Sequence, residues 1–180
     1  DDKKQIMTSR SFGEMVEDID DLKEAITYFC TRWWEKLRKQ GSRASTLSVF
    51  IKSNKYREDL SQYWQSFSVT FPVPTDNTFE LINGAFIWLE KIFRKWIKYK
   101  KAWILLWWLE SWDFQQVTLF WEQSDPGKKK LMETLDRLNS KHWSGTMMFA
   151  SQWFDNKWWM RCDNKSPMYM HRWNCVPECR

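Results

Sequence analysis

Ser66-Phe67-Ser68-Val69-Thr70-Phe71-Pro72-Val73 alternates polar and apolar residues without a break. Successive side chains of a strand point to opposite faces, so this period of two predicts a strand with one face in a core. Pro72 and Pro74 donate no N–H to a ladder, which places the end of that strand at a sheet edge or terminus. Upstream, Leu47, Val49 and Ile51 alternate with Thr46, Ser48 and Phe50, a second strand signal, and a polar loop from Ser53 to Gln65 joins the two.

Outward from this pair the period changes. Leu22, Ala25, Ile26, Phe29, Trp33 and Leu37 recur at helical spacing, with Asp18 or Asp20 as N-cap and Gly41 as the stop. Ile6 to Phe12 precedes that helix as a short strand. On the other side, Thr75, Asp76 or Thr78 can cap a second helix whose apolar face is Ile82, Ala85, Phe86, Leu89, Ile92 and Phe93. Lys98 to Leu109 then reads as a long strand. The order is βαββαβ, an α+β class: one four-stranded sheet with two helices on one face. The other face is left open, edged with Lys and Arg, and such a face can lie against a duplex.

After Ser111 the pattern is different. Gln116-Val117-Thr118-Leu119-Phe120 offers one amide and two adjacent apolar anchors, suited to an extended peptide in a greasy groove. An edge strand or a loop tucking two apolar side chains inward would read the same way. A turn at Ser124 to Gly127 leads to a short helix with Leu131, Leu135 and Leu138 on one face. Thr146 to Arg180 reads as short strands and loops rich in Met and Trp, too small to stand alone, so the whole tail reads as a small α/β C-terminal extension.

The chain of 180 residues is 43% hydrophobic and 28% charged, so it is globular rather than disordered. Its longest apolar run, Ala102 to Leu109, falls short of the roughly 18–20 residues a membrane helix needs. The opening Asp1-Asp2-Lys3-Lys4 has no apolar stretch behind it, unlike a signal peptide. The missing initiator Met suggests a piece of a longer protein. The net charge of +5 permits nucleic acid as a partner without requiring it. Arg94, Lys95, Lys98, Lys100 and Lys101 fall close together, either as a solvated face or as a strip for phosphates.

Catalytic constellations are not found. There is no P-loop, no Rossmann glycine signature and no HExxH, and neither His142 nor His171 sits beside a nucleophile elbow. Asp18, Asp20 and Asp21 are explained more simply as helix-capping and dipole-facing residues than as metal ligands. Cys162, His171, Cys175 and Cys179 match no common zinc spacing. The cysteines, including Cys30, are too unevenly placed for a disulfide scaffold, which points to a reducing cytosol. The chain reads as a binding module with no catalytic residue, no metal and no cofactor of its own.

Several motifs in order carry a more specific reading. Ser9-Arg10-Ser11-Phe12-Gly13, Val69 to Thr75, Ile97-Lys98-Tyr99-Lys100-Lys101-Ala102 and Gln116 to Phe120 come first. Phe149-Ala150-Ser151-Gln152, Met160-Arg161, Ser166-Pro167 with Tyr169, and Arg172-Trp173 follow. Together they resemble the C-terminal part of UmuC-type Y-family DNA polymerases, the catalytic subunits of translesion enzymes. The resemblance implies a little-finger DNA-binding domain over residues 1–112, a linker with a clamp-binding peptide over 113–127, and a C-terminal extension over 128–180. It implies that Arg10, Ser11, Lys98, Lys100 and Lys101 hold template–primer DNA through phosphates, and that Gln116, Leu119 and Phe120 dock on a bacterial sliding clamp. It further implies a bacterial cytoplasmic protein of SOS mutagenesis and DNA repair, with a UmuD-type accessory subunit and RecA as possible partners. Mg2+-dependent phosphoryl transfer would belong to palm carboxylates of the parent polymerase, not to this fragment. The alternative is a protein-interaction module for those accessory subunits without DNA affinity.

The chain holds fifteen Trp and only five Gly. The family usually carries Gly or another small residue near Trp96 and Trp103 and near Trp153, small residues near Trp33 and Trp34, and an acidic residue where Trp121 stands. Trp in a left-handed turn or a close backbone approach is expected to cost about 1–3 kcal/mol per site.

Overall fold

The computed structural model describes residues 4–111, 126–142, 145–152 and 158–160. Within them the elements run β1 (Gln5–Val16), α1 (Ile19–Gln40), β2 (Ser42–Ser53), β3 (Trp64–Thr75), α2 (Thr78–Ile92), β4 (Tyr99–Ser111) and α3 (Pro126–Lys141). The expected βαββαβ order of an α+β fold is the order found. The four strands form one antiparallel sheet in the order β1-β4-β2-β3. β3, with its two prolines, is an edge strand.

Local chemistry explains where the helices start and stop. The Asp18 carboxylate accepts from the Asp20 N–H, and Asp20 and Asp21 lie in the positive first turn of α1. Gly41 closes that helix at φ 68, its N–H returning to Arg38 and Leu37 carbonyls. In α2 the cap is Asn77, which accepts from the Phe79 N–H, rather than Thr75, Asp76 or Thr78. Thr75 instead accepts from the Asn77 N–H, and Glu80 accepts from both side chains.

The core lies between the sheet and the two helices. Leu47, Val49 and Ile51 of β2 and Ala102, Ile104 and Leu106 of β4 meet Leu22, Ala25, Ile26 and Phe29 of α1 and Leu81, Ala85 and Leu89 of α2. On the edge strand, Phe67 stacks on Trp88 of α2 at 3.7 Å, and Phe71 lies against Gly84. The Lys23–Glu90 ion pair joins the two helices at 2.6 Å. Cys30 is buried here, and burial pushes its thiol up to about 12, so it stays protonated and inert.

The described part of the extension packs on α1. Trp158 is buried among Phe12, Tyr28 and Phe29. In α3 the buried residue is Met132, with Leu131 exposed and Leu135 and Leu138 half-buried. Among the described residues, the one element after α3 is a 3-10 turn, Ala150–Gln152. The other short strands expected between Thr146 and Arg180 fall mostly outside the described residues.

The tryptophans divide into two kinds. Trp34 is fully buried, and its indole N–H donates to the Asp76 carbonyl, so no penalty arises there. Trp96 stands in the turn before β4 at φ 71 and is 88% exposed. Its ring gains little from packing, while its backbone sits where a Cβ is unfavourable. Trp96→Gly is therefore expected to raise stability by about 1 kcal/mol, after allowing for the freer unfolded chain. Urea melts of the two proteins measure it, and an unchanged or lower midpoint would contradict the strain.

Candidate nucleic-acid interface

The sheet's open face can be read row by row from the strand registers. Across β1, β4, β2 and β3 the rows are Gln5–Trp107–Thr46–Thr70, Met7–Leu105–Ser48–Ser68, Ser9–Trp103–Phe50–Ser66 and Ser11–Lys101–Lys52–Trp64. None of these positions is acidic. Paired hydroxyls satisfy one another across β2 and β3: Ser48 with Ser68 at 2.7 Å and Thr46 with Thr70 at 3.3 Å. The Trp107 indole N–H donates to the Ser48 hydroxyl at 3.1 Å. Phe50 and Trp103 stack with centroids 4.8 Å apart and planes 5° from parallel.

The basic end of this face is the row Ser11–Lys101–Lys52. Neither Lys101 nor Lys52 forms an ion pair among the described residues. Both remain half-buried by their stems, with ammonium groups available to an anion. Lys52 was not singled out from the sequence. One more step along the alternation Thr46, Ser48, Phe50 reaches it.

The remaining expected contacts are placed differently. Arg10 pairs with Ala102 on the helix-covered side, and its guanidinium lies over the Trp159 ring at 4.9 Å and the Tyr28 ring at 5.9 Å. Lys98 precedes β4 and pairs with Glu17 at 3.1 Å, both side chains about half exposed, so the pair is weak and breakable. Lys100 falls at a bulge: Lys52 pairs with Lys101 and Ser53 with Tyr99, leaving Lys100 unmatched on β2. Its ammonium turns to the Phe12 carbonyl at 2.6 Å and the Gly13 carbonyl at 3.4 Å. Of the five expected DNA contacts, the fold brings Ser11 and Lys101 into one row of the open face. Gln116, Leu119 and Phe120 lie outside the described residues, as do Cys162, His171, Cys175 and Cys179.

Tyr99 anchors the basic turn. Its hydroxyl accepts from the Arg94 N–H at 2.8 Å and lies 3.2 Å from the Arg94 carbonyl. Desolvation on burial pushes that hydroxyl upward, so it remains a neutral donor and acceptor.

Residues 3–119 match the impB/mucB/samB family C-terminal domain, and residues 129–178 match a domain of unknown function (DUF4113). The chain belongs to the impB/mucB/samB family. Protein UmuC of Salmonella typhimurium is 35% identical over 173 residues, covering 96% of this chain and 41% of that protein. Protein MucB of Escherichia coli is 34% identical over 181 residues, again 41% of its length. Protein ImpB of Salmonella typhimurium is 30% identical over 179 residues, 42% of its length. The chain thus spans about two fifths of the relatives it matches, and its expected identity as a UmuC-type C-terminal region is borne out. A solved complex of the beta-clamp processivity factor and the little finger domain of PolIV aligns over 65% of this chain at 13% identity, with a TM-score of 0.44. Among the described residues, no helix is long and apolar enough to cross a membrane.

Proposed function

We propose that this impB/mucB/samB-family region holds template–primer DNA for an error-prone translesion polymerase of SOS mutagenesis, and tethers that enzyme to the bacterial sliding clamp. The observation that carries the DNA reading is the sheet face that no described element covers. It has no acidic residue in its four rows and two uncommitted lysines, Lys52 and Lys101, at one end. Such lysines hold phosphates without reading sequence, which suits an enzyme that must accept any damaged template. Ser11 shares their row. Arg10, Lys98 and Lys100 join only if they leave their present partners. The Mg2+-dependent chemistry we assign to the parent enzyme's palm, in the bacterial cytoplasm, with no cofactor in this region.

A labelled primer–template titrated at 50 and 200 mM salt tests this reading. With two lysine–phosphate contacts, affinity should fall on the order of tenfold between the two. Binding that ignores salt would remove the DNA role.

The tether is the peptide Gln116 to Phe120, with Leu119 and Phe120 as anchors and Gln116 setting register. Leu119→Ala with Phe120→Ala is expected to weaken binding to a bacterial sliding clamp by about 100-fold or more, since two adjacent apolar anchors dominate so short a peptide. Surface plasmon resonance on immobilised clamp measures it, and unchanged affinity would end that assignment. Met147, Met148, Trp159 and Met160 are exposed on the extension. They favour a second role as the docking area for a UmuD-type subunit or RecA.

A further inference from the structure

The centre of the open face is built for something a duplex cannot supply. Phe50 stacks on Trp103, its neighbour on β4, with centroids 4.8 Å apart. That separation is one strand spacing, so the stack runs across the strands. The opposite ring face of Phe50 therefore turns toward β3. There the paired residue is Ser66, short and exposed, with Ser68 and then Thr70 on one side of it along the same face and Trp64 on the other. One more strand spacing from Phe50, above Ser66, is a shelf with a hydroxyl floor and an aromatic wall. Trp64, 62% exposed, stands next to Lys52 at its basic end.

We propose that this shelf takes an unpaired nucleobase, so that the face binds single-stranded DNA by stacking on Phe50 as well as by phosphate contacts. Any base has a π-face, so the stack accepts all four. Lys52 lies one residue pair along the same face from Phe50, within reach of the phosphate of a stacked nucleotide. Lys101 lies 5.6 Å from the centre of the Trp103 ring and adds positive charge to the same stack. The Ser66 hydroxyl can donate to or accept from a base edge, while that of Ser68 is held by Ser48. In a duplex the bases already stack on one another and only their edges and phosphates face outward, so the Phe50 ring face has no partner there. The complete absence of carboxylates from the four rows favours a polyanion over an apolar peptide. The proposal rests on the reading of this face as a DNA-binding surface and names the kind of DNA that fills its centre.

Three labelled ligands separate the possibilities: a 12-nucleotide oligothymidylate, a 12-unit abasic strand of the same phosphate count, and a 12-base-pair duplex with twice as many phosphates. Each is titrated by fluorescence anisotropy against the 180-residue chain. Stacking predicts that oligothymidylate binds about fivefold or more tighter than the abasic strand, the lower end of what one base–aromatic contact is worth. Phe50→Leu keeps the apolar contact with Trp103 but removes the aromatic face, and should bring oligothymidylate down to the abasic level. Ser66→Val suits the strand, fills the shelf and should do the same. Both variants should leave duplex affinity within about twofold. Equal binding of thymidylate and abasic strands, or unchanged thymidylate affinity in both variants, overturns stacking while leaving the duplex reading intact. No binding of any of the three overturns both.

Discussion

Trp158→Ala should lower the unfolding free energy by about 3–5 kcal/mol, and urea titration followed by circular dichroism measures it. Trp158 is 1% exposed, and edge or tilted contacts with Phe12, Tyr28 and Phe29 surround it at 5.4–6.4 Å between centroids. Its indole N–H donates to the Glu24 carboxylate at 2.9 Å, and Glu24 is itself 2% exposed. Its carbonyl accepts from the Gly13 N–H at 3.3 Å, so one residue ties the extension to β1 and α1 together. Alanine removes a fully buried indole from that corner and leaves a void the rigid sheet cannot close. It also takes a donor from a buried carboxylate, a separate loss of about 1–3 kcal/mol that stability records only in part, because water can enter the void. Trp158→Phe separates the two effects: it keeps most of the ring volume and loses the donor, so about 1–2 kcal/mol is expected. An alanine variant within 1 kcal/mol of the parent would mean that the extension contributes little to the fold.

That corner also marks the limit of what sequence reading could reach. The sheet and its two helices were legible because their signals are local. Ser66 to Val73 alternates, Leu22 to Leu37 recurs at helical spacing, and Gly41 supplies a left-handed stop. The α2 cap, Asn77, lies one or two positions from the expected ones because Thr75, Asp76, Asn77 and Thr78 are all competent caps. Only the Glu80 carboxylate, engaging Thr75 and Asn77 together, decides among them. Trp34 looked costly beside relatives with small residues. Its fit depends on a carbonyl 42 residues away, at Asp76, which no local pattern announces. The same distance problem affects the site. Arg10 and Ser11 are neighbours in sequence, but a strand sends them to opposite faces, and only the register shows that Ser11 shares the open side with Lys101. In sequence Lys100 belongs to a basic run. The bulge that turns its ammonium back to Phe12 and Gly13 comes from pairing and is invisible in composition.

Arg38→Ala should cost about 2–4 kcal/mol, nearly as much as the loss of Trp158, although it removes no core ring. The Arg38 side chain is 9% exposed and forks onto both oxygens of Asp136 at 2.5 and 2.6 Å. A second nitrogen face donates to the Thr78 hydroxyl at 2.9 Å and to the Asp76 carbonyl at 3.3 Å, the same carbonyl that takes the Trp34 indole. One guanidinium thereby joins the last turn of α1, the start of α2 and the middle of α3. Asp136 is 24% exposed, so water screens part of the attraction and the figure stays below that of a fully buried pair. Lysine carries the charge without the planar fork, so Arg38→Lys should recover less than half of the loss. Removing both partners leaves no lone carboxylate against the helices. Arg38→Ala with Asp136→Ala should therefore cost about 1–3 kcal/mol less than the sum of the single variants. Strict additivity in that cycle, read from urea midpoints, would show that the two groups are neighbours without coupling. Coupling of the expected size would mean that α3 is held to the sheet domain by a charge contact that salt weakens only modestly. The extension would then keep its place on α1 at ionic strengths that loosen the exposed Lys98–Glu17 pair before β4.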